Sequence, residues 1–150
     1  MKEILLSIQD IIGNVAKIKY VDEDWGQLDD YGSNIPVKWP CSLIDLTSVD
    51  YSDIGIDKSA KPKNRQMGLV SVTIKYANVK LSNSSFKAPE VQKNNAYQLI
   101  EIVEDGHKVL HGFQPTPNCS PLMRTKLRRI KRDDGVQQIE VTYLMEVTNV

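Results

Sequence analysis

The chain is poor in cysteine, carries no excess of either charge, and lacks both long apolar runs and internal repeats. Each absence removes a class of protein. Two cysteines occur in 150 residues. Cys41 lies in an apolar, strand-like pattern and Cys119 in a Pro/Asn/Ser loop, which fits neither a metal-ligand spacing nor a disulfide-dense secreted framework. The expectation is two free thiols in a reducing compartment. Nineteen Lys and Arg balance nineteen Asp and Glu, so the global field of most nucleic-acid and anionic-membrane binders is missing. Near-zero net charge also protects poorly against self-association. No stretch approaches the ~20 apolar residues of a membrane helix. The N-terminus mixes polar residues into its apolar stretch and has no small-residue cleavage site, so a chain made and folded in a cytoplasm is expected.

What is present is a clear order of elements. Ile4, Leu5, Ile8, Ile11 and Ile12 recur at helical spacing, and the helix should stop near Gly13-Asn14, where left-handed backbone is cheap. Val15, Ile18 and Tyr20 lead from a strand into an acidic, glycine-containing loop over 22–32. Trp25 in that loop is expected to fold back on the core, because large aromatics rarely sit fully exposed; the alternative is a partner anchor. Pro36 and Pro40 bracket a strand over 37–46, with Cys41, Leu43 and Asp45 on one face. Residues 46–63, rich in Ser, Thr and Asp, read as a long polar loop.

From 67 to 77 the alternation is clean, with Val70, Val72, Ile74 and Tyr76 on one face and Ser71, Thr73 and Lys75 on the other. A second helix follows Pro89 and runs to about Leu110, with Ala96, Leu99, Ile100, Val103, His107 and Leu110 on its inner face; Gly106 costs ~1 kcal/mol within it. Asp134-Gly135 then marks a terminal hairpin, whose second arm turns Ile139, Val141, Tyr143, Met145 and Val147 inward. The expectation is one α+β domain over 1–150. About two helices pack on a mixed, mainly antiparallel sheet of about five strands ending in a C-terminal β-hairpin.

Chemistry-bearing patterns are weak. His107 and His111 have the spacing of two ligands on a helix, but no third ligand and no zinc-protease glutamate accompany them; His111 at a helix end suits the helix dipole as an imidazolium. Asp22, Glu23, Asp24, Asp29 and Asp30 lack the alternation of a calcium loop and read as a solvated acidic loop. No nucleophile elbow or phosphate-cradling loop is present, and Gly68 is a lone glycine. No cofactor or metal is expected, and no enzymatic activity. The sharpest charge feature is the strip Arg124, Lys126, Arg128, Arg129, Lys131 and Arg132. In a regular strand Arg124, Lys126, Arg128 and Arg132 share one face. Such a strip suits phosphates, yet Asp133 and Asp134 follow at once and aromatics are absent, so a charge-protected edge or a protein contact is the expectation.

The element order, the Pro-bracketed strand entry, and Ala96-Tyr97-Gln98-Leu99-Ile100-Glu101-Ile102-Val103 running into Val109-Leu110-His111-Gly112-Phe113 resemble the tail-terminator and tail-completion proteins of long-tailed phages, including those of Mu-like prophages. In that family a helix ending in Leu-His-Gly-aromatic precedes a proline-containing loop and a closing strand pair. The resemblance covers most of the chain, although residues 46–63 have no alignable counterpart. It implies a virion subunit, assembled in the bacterial host cytoplasm, that forms a hexameric ring on the tail tube and meets the head–tail connector in the neck. Phage DNA would touch it only in passing through the ring lumen. On this reading Trp25 and the acidic loop contact an axial partner, and Arg124, Lys126, Arg128, Arg129 and Arg132 contact an adjacent subunit. Two other readings remain: another neck or head-completion subunit, and a small enzyme or ligand-binding domain with a site built from His107, Asp45 and Cys41.

Overall fold

Ile4, Ile8 and Ile12 line one face of the first helix, α1 (Lys2–Gly13), and all three are buried in the computed structural model, which describes residues 1–29, 34–80 and 82–150. The helix stops at Asn14 as expected, by a different means. Asn14 keeps right-handed backbone (φ −85°). Its side-chain Nδ2 donates to the Asp10 carbonyl at 2.9 Å and the Val15 N–H donates to Ile12 at 2.9 Å, so the last turn is closed without a left-handed residue.

Five strands follow the order β1-β2-β3-β5-β4 across one sheet. They are β1 (Tyr20–Glu23), β2 (Cys41–Ile56), β3 (Asn64–Val79), β4 (Met123–Ile130) and β5 (Val136–Thr148). β1 runs parallel to β2 and every other pairing is antiparallel, as expected for a mixed, mainly antiparallel sheet. The 24–40 connection that parallel pairing requires reaches β2 through a cis Trp39–Pro40 bond. The strand expected over 37–46 therefore begins only at Cys41. Gly135, at φ +76°, turns the terminal hairpin, a position where a side chain would be strained.

The alternation read in the sequence sorts the two faces of the sheet. Val70, Val72, Ile74 and Tyr76 of β3, and Ile139, Val141, Tyr143, Met145 and Val147 of β5, face the helices and form the main core with Ile44, Leu99, Ile102, Val103 and Leu110. On the opposite face a smaller cluster of Leu28, Cys41, Leu43, Ala77 and Val136 is packed against Tyr20 of β1 and against Ile35, Val37 and Trp39, which precede β2.

Two expectations are corrected. Residues 46–63 are not a loop: β2 and β3 stay paired, with register shifts at Thr47 and near Gly55, as far as Ile56↔Asn64, and only 57–63 turn, closed by Asp57 N–H donating to the Lys63 carbonyl at 2.8 Å. Beyond Val49 both faces of the β2 arm of this hairpin are exposed, so Ser and Asp alternate with apolar residues that are not buried. The second helix is two helices, α2 (Glu90–Ala96) and α3 (Gln98–Leu110), broken at Tyr97, whose φ and ψ of −96° and 7° leave the helical region. After the break the buried face is Leu99, Ile102, Val103, Gly106 and Leu110. Ile100 turns outward and His107 is half-buried.

Gly106 does not end the helix; it brings the helix close to the sheet. A Cβ there would lie 2.2 Å from the Tyr76 hydroxyl and 2.9 Å from its Cζ. That hydroxyl is buried with no hydrogen-bond partner among the described residues. Gly106→Ala should therefore destabilise the fold by about 2 kcal/mol through overpacking. Tyr76→Phe alone should be near neutral or stabilising, because it removes an unsatisfied polar atom. In the double variant much of the alanine cost should disappear, measured as a positive coupling in a denaturant-unfolding cycle.

Candidate functional site

β4 is an edge strand, and seven of its eight residues are exposed. Its basic residues do not form one stripe. A bulge between Arg124 and Lys126 leaves Thr125 unpaired, so Arg124 lies opposite Tyr143 while Lys126 lies opposite Thr142. Tyr143 faces the helices and Thr142 the open side. Arg124 and Arg129 (opposite Ile139) therefore flank the helical face, and Lys126 and Arg128 (opposite Glu140) flank the open face. Arg128 Nη2 pairs with Glu140 Oε2 at 2.9 Å. The regular alternation assumed for the strip fails at one inserted residue.

Arg132 has a different role from its neighbours. Its side chain is only 12% exposed, and its guanidinium reaches Asp29 Oδ1 at 2.8 Å, Asp134 Oδ2 at 2.7 Å, Gln138 Oε1 at 3.0 Å and the Leu28 carbonyl. It ties the 24–29 loop to the turn of the terminal hairpin. The hydrogen bond to Asp134, reinforced by that to Asp29, raises the Arg132 pKa despite burial, and the same contact lowers that of Asp134. A planar five-donor fork is what permits one cation to hold four acceptors.

The first part of the acidic loop, residues 22–27, is held by bonds among its own side chains and backbone. Gln27 is fully buried; its Oε1 accepts the Trp25 N–H at 2.9 Å and its Nε2 donates to the Glu23 carbonyl at 2.8 Å. Asp22 Oδ2 accepts the Tyr20 hydroxyl at 2.8 Å and Trp25 Nε1 at 3.3 Å. Burial opposes ionisation of Asp22, but the bonds from Tyr20 and Trp25 outweigh it and hold its pKa below the usual range. Asp24 pairs with Lys75. Trp25 is 53% exposed, so it is not the lid on the core that its size suggested. Its ring is held at the surface by the bond to Asp22. Asp30 lies outside the described residues. Beside this loop, α1 and β1 form an open cleft of about 430 Å³ lined by Leu5, Leu6, Gln9, Asp22, Glu23 and Ile44.

His107 and His111 do come together, with ring centroids 4.8 Å apart. Among the described residues no group of three His, Cys, Asp or Glu gathers as a metal site would need. His111 Nδ1 accepts the Arg124 N–H at 3.2 Å, which ties the end of α3 to β4. The Leu-His-Gly-Phe segment is thereby explained: Leu110 enters the core, His111 caps onto β4, and Gly112, at φ +83°, aims its N–H at the Leu122 carbonyl at 2.8 Å. His107, Asp45 and Cys41 are not brought together. Cys41 and Asp45 lie on the face opposite the helices while His107 rides on α3. Burial pushes the Cys41 thiol up to about 12, which leaves it unreactive.

The feature that sequence reasoning missed is the free outer margin of β2. β1 covers only Cys41–Ile44, so no strand among the described residues pairs with that margin from Asp45 to Ile56. Tyr51, Ile54 and Ile56 stand exposed along this projecting ribbon. Alternation of Val49, Tyr51, Ile54 and Ile56 was the available signal, weakened by the irregularities at Thr47 and near Gly55.

Arg132→Ala should lower unfolding stability by about 2 kcal/mol and admit protease to 24–29, since charged hydrogen bonds are worth more than neutral ones. Arg132→Lys should recover less than half of that loss. A second test uses pH. Burial, then the charges of Arg124 and His111, hold the His107 pKa below its ordinary 6.5. The unfolded chain then binds that proton at higher pH than the native one, so stability falls as pH drops through the unfolded value towards the folded one. Melting temperature should decline from about pH 7.5 to about pH 5.5, with a shallower slope in His107→Gln.

Comparison with protein-family models gives no match, and comparison with curated protein sequences gives none. Among solved structures, the chain is similar to one in the "Virion of native gene transfer agent (GTA) particle", at 12% identity and a TM-score of 0.46, covering 95% of this chain and 84% of that one.

Proposed function

We propose that this chain is a virion structural protein, the tail-terminator or tail-completion subunit of a long-tailed phage. Copies close into a hexameric ring that caps the tail tube and meets the head–tail connector. The observation that carries the reading is the pair of open sheet margins on opposite sides of the subunit, β4 on one and the outer half of β2 on the other. Two different margins on one subunit give heterologous contacts, which generate a ring when the rotation closes. The segment from Ala96 to Phe113 adds the family resemblance, and its Leu-His-Gly-Phe end has a definite structural task here.

The subunit works as a building block and catalyses no reaction. Its cysteine on the smaller core is buried, its histidines are tied to Arg124 and Tyr143, and its acidic loop is bonded internally. Trp25 and the neighbouring loop form the axial contact with the tube or connector. The basic residues Arg124, Lys126, Arg128 and Arg129 form the lateral contact, and Arg132 supports them from within its own subunit.

Size-exclusion chromatography with light scattering, followed by imaging, tests this directly. The purified chain should give a closed ring of hexamer mass, either alone or when mixed with tail tube protein. A chain that stays monomeric at every concentration and fails to retain tube protein would remove the assignment. Rings that bind a head-completion partner but not the tube would move the subunit to another position in the neck.

A further inference from the structure

We infer that neighbouring subunits join by sheet extension, the acidic outer margin of β2 of one copy pairing with the basic margin of β4 of the next. This rests on the ring reading above and specifies its lateral contact. The outer half of β2 carries Asp45, Asp50 and Asp53, with Asp57 just past its end, and no Lys or Arg. β4 carries Arg124, Lys126, Arg128 and Arg129 and no Asp or Glu. Charge of either sign is enough to protect an exposed edge from aggregation. Opposite signs on the two free margins do something more: each margin repels its own kind and attracts the other, so head-to-tail pairing is favoured over two-fold pairing.

The backbone allows the contact. Neither margin contains proline, so every residue retains the N–H that an added strand needs. The free run from Asp45 to Ile56 is longer than the eight residues of β4, so the whole of β4 can be accommodated beyond the end of β1. Direction is also set. β2 and β5 run one way, and β3 and β4 the other. For subunits related by rotation about an axis along the strands, β4 therefore meets β2 antiparallel, the pairing used everywhere else in this sheet except at β1. The two faces of each margin contribute. Asp50 lies on the open face and Asp53 on the helical side, by their partners Leu69 and Gln66. On β4 Lys126 and Arg128 lie on the open face and Arg124 and Arg129 on the helical side, so on each face the two margins carry opposite charge.

The test uses two full-length double variants, Asp50→Lys/Asp53→Lys and Lys126→Glu/Arg129→Glu. All four positions are exposed, and none belongs to the Arg132 cluster, so each variant should keep the wild-type melting profile. Each alone should shift the concentration for half-assembly upward by roughly tenfold or more, because like charges then face each other across the margin. Mixed one to one, the two variants should co-assemble, since in alternating copies every reversed pair meets a pair of opposite sign. High salt should weaken wild-type rings and the mixed rings alike. Wild-type rings that persist in both variants would overturn the edge pairing while leaving the ring itself standing. Loss of rings in each variant without recovery on mixing would also overturn it. A wild type that never assembles removes both readings together.

Discussion

The structure depends on β3 being hydrogen-bonded along both margins, to β2 on one side and β5 on the other. A strand paired twice cannot slip by one residue without carrying its whole apolar set to the wrong face. Val70, Val72, Ile74 and Tyr76 therefore fix which side receives the helices, and with it the inward set of β5 and the position of Ile44 on β2. Everything outside that ladder is added to a frame that already has a covered side and an open one. The open side is closed at one end only, where the 24–40 connection lays Ile35, Val37 and Trp39 over Cys41 and Ala77.

From that frame follows the contrast between its two outer strands. Among the described residues β4 pairs with β5 and β1 with β2, each on one side, and β1 is too short to shield its neighbour. The subunit is thus well bonded in the middle and unfinished at the sides. Its internal polar groups are largely committed: Arg132 gathers the 24–29 loop, Gln27 and Asp22 organise the turn around Trp25, and His111 takes a backbone donor from β4.

Much of this was legible from spacing. The α1 stripe, the alternation of β3 and β5 and the Asp-Gly turn each carry a strong local signal, because one face is dry and the other wet. The misreadings share one cause. Beyond Val49, residues up to Ile56 are exposed on both faces, so composition suggested a loop where the backbone continues as ribbon. The basic strip was assigned one face because alternation was assumed across Thr125, and a bulge leaves no mark in residue types. Tyr97 breaks a helix with neither proline nor glycine, where sequence period alone runs on. Gly106 looked like a weak point in a helix and proves to be the place where helix and sheet approach most closely, a fact that lives in the Tyr76 ring across from it. The Arg132 cluster joins positions a hundred residues apart in the chain, beyond the reach of any local pattern.

The ribbon beyond the core continues two strands of the packed sheet: β2 and β3 run from the interior to the turn at 57–63, with irregularities at Thr47 and near Gly55. A pull applied to the tip along its length would load the rungs of that ladder together, in shear, instead of opening them one at a time. A molecule bound at the tip would therefore pull on the central sheet itself and not on a loop appended to it.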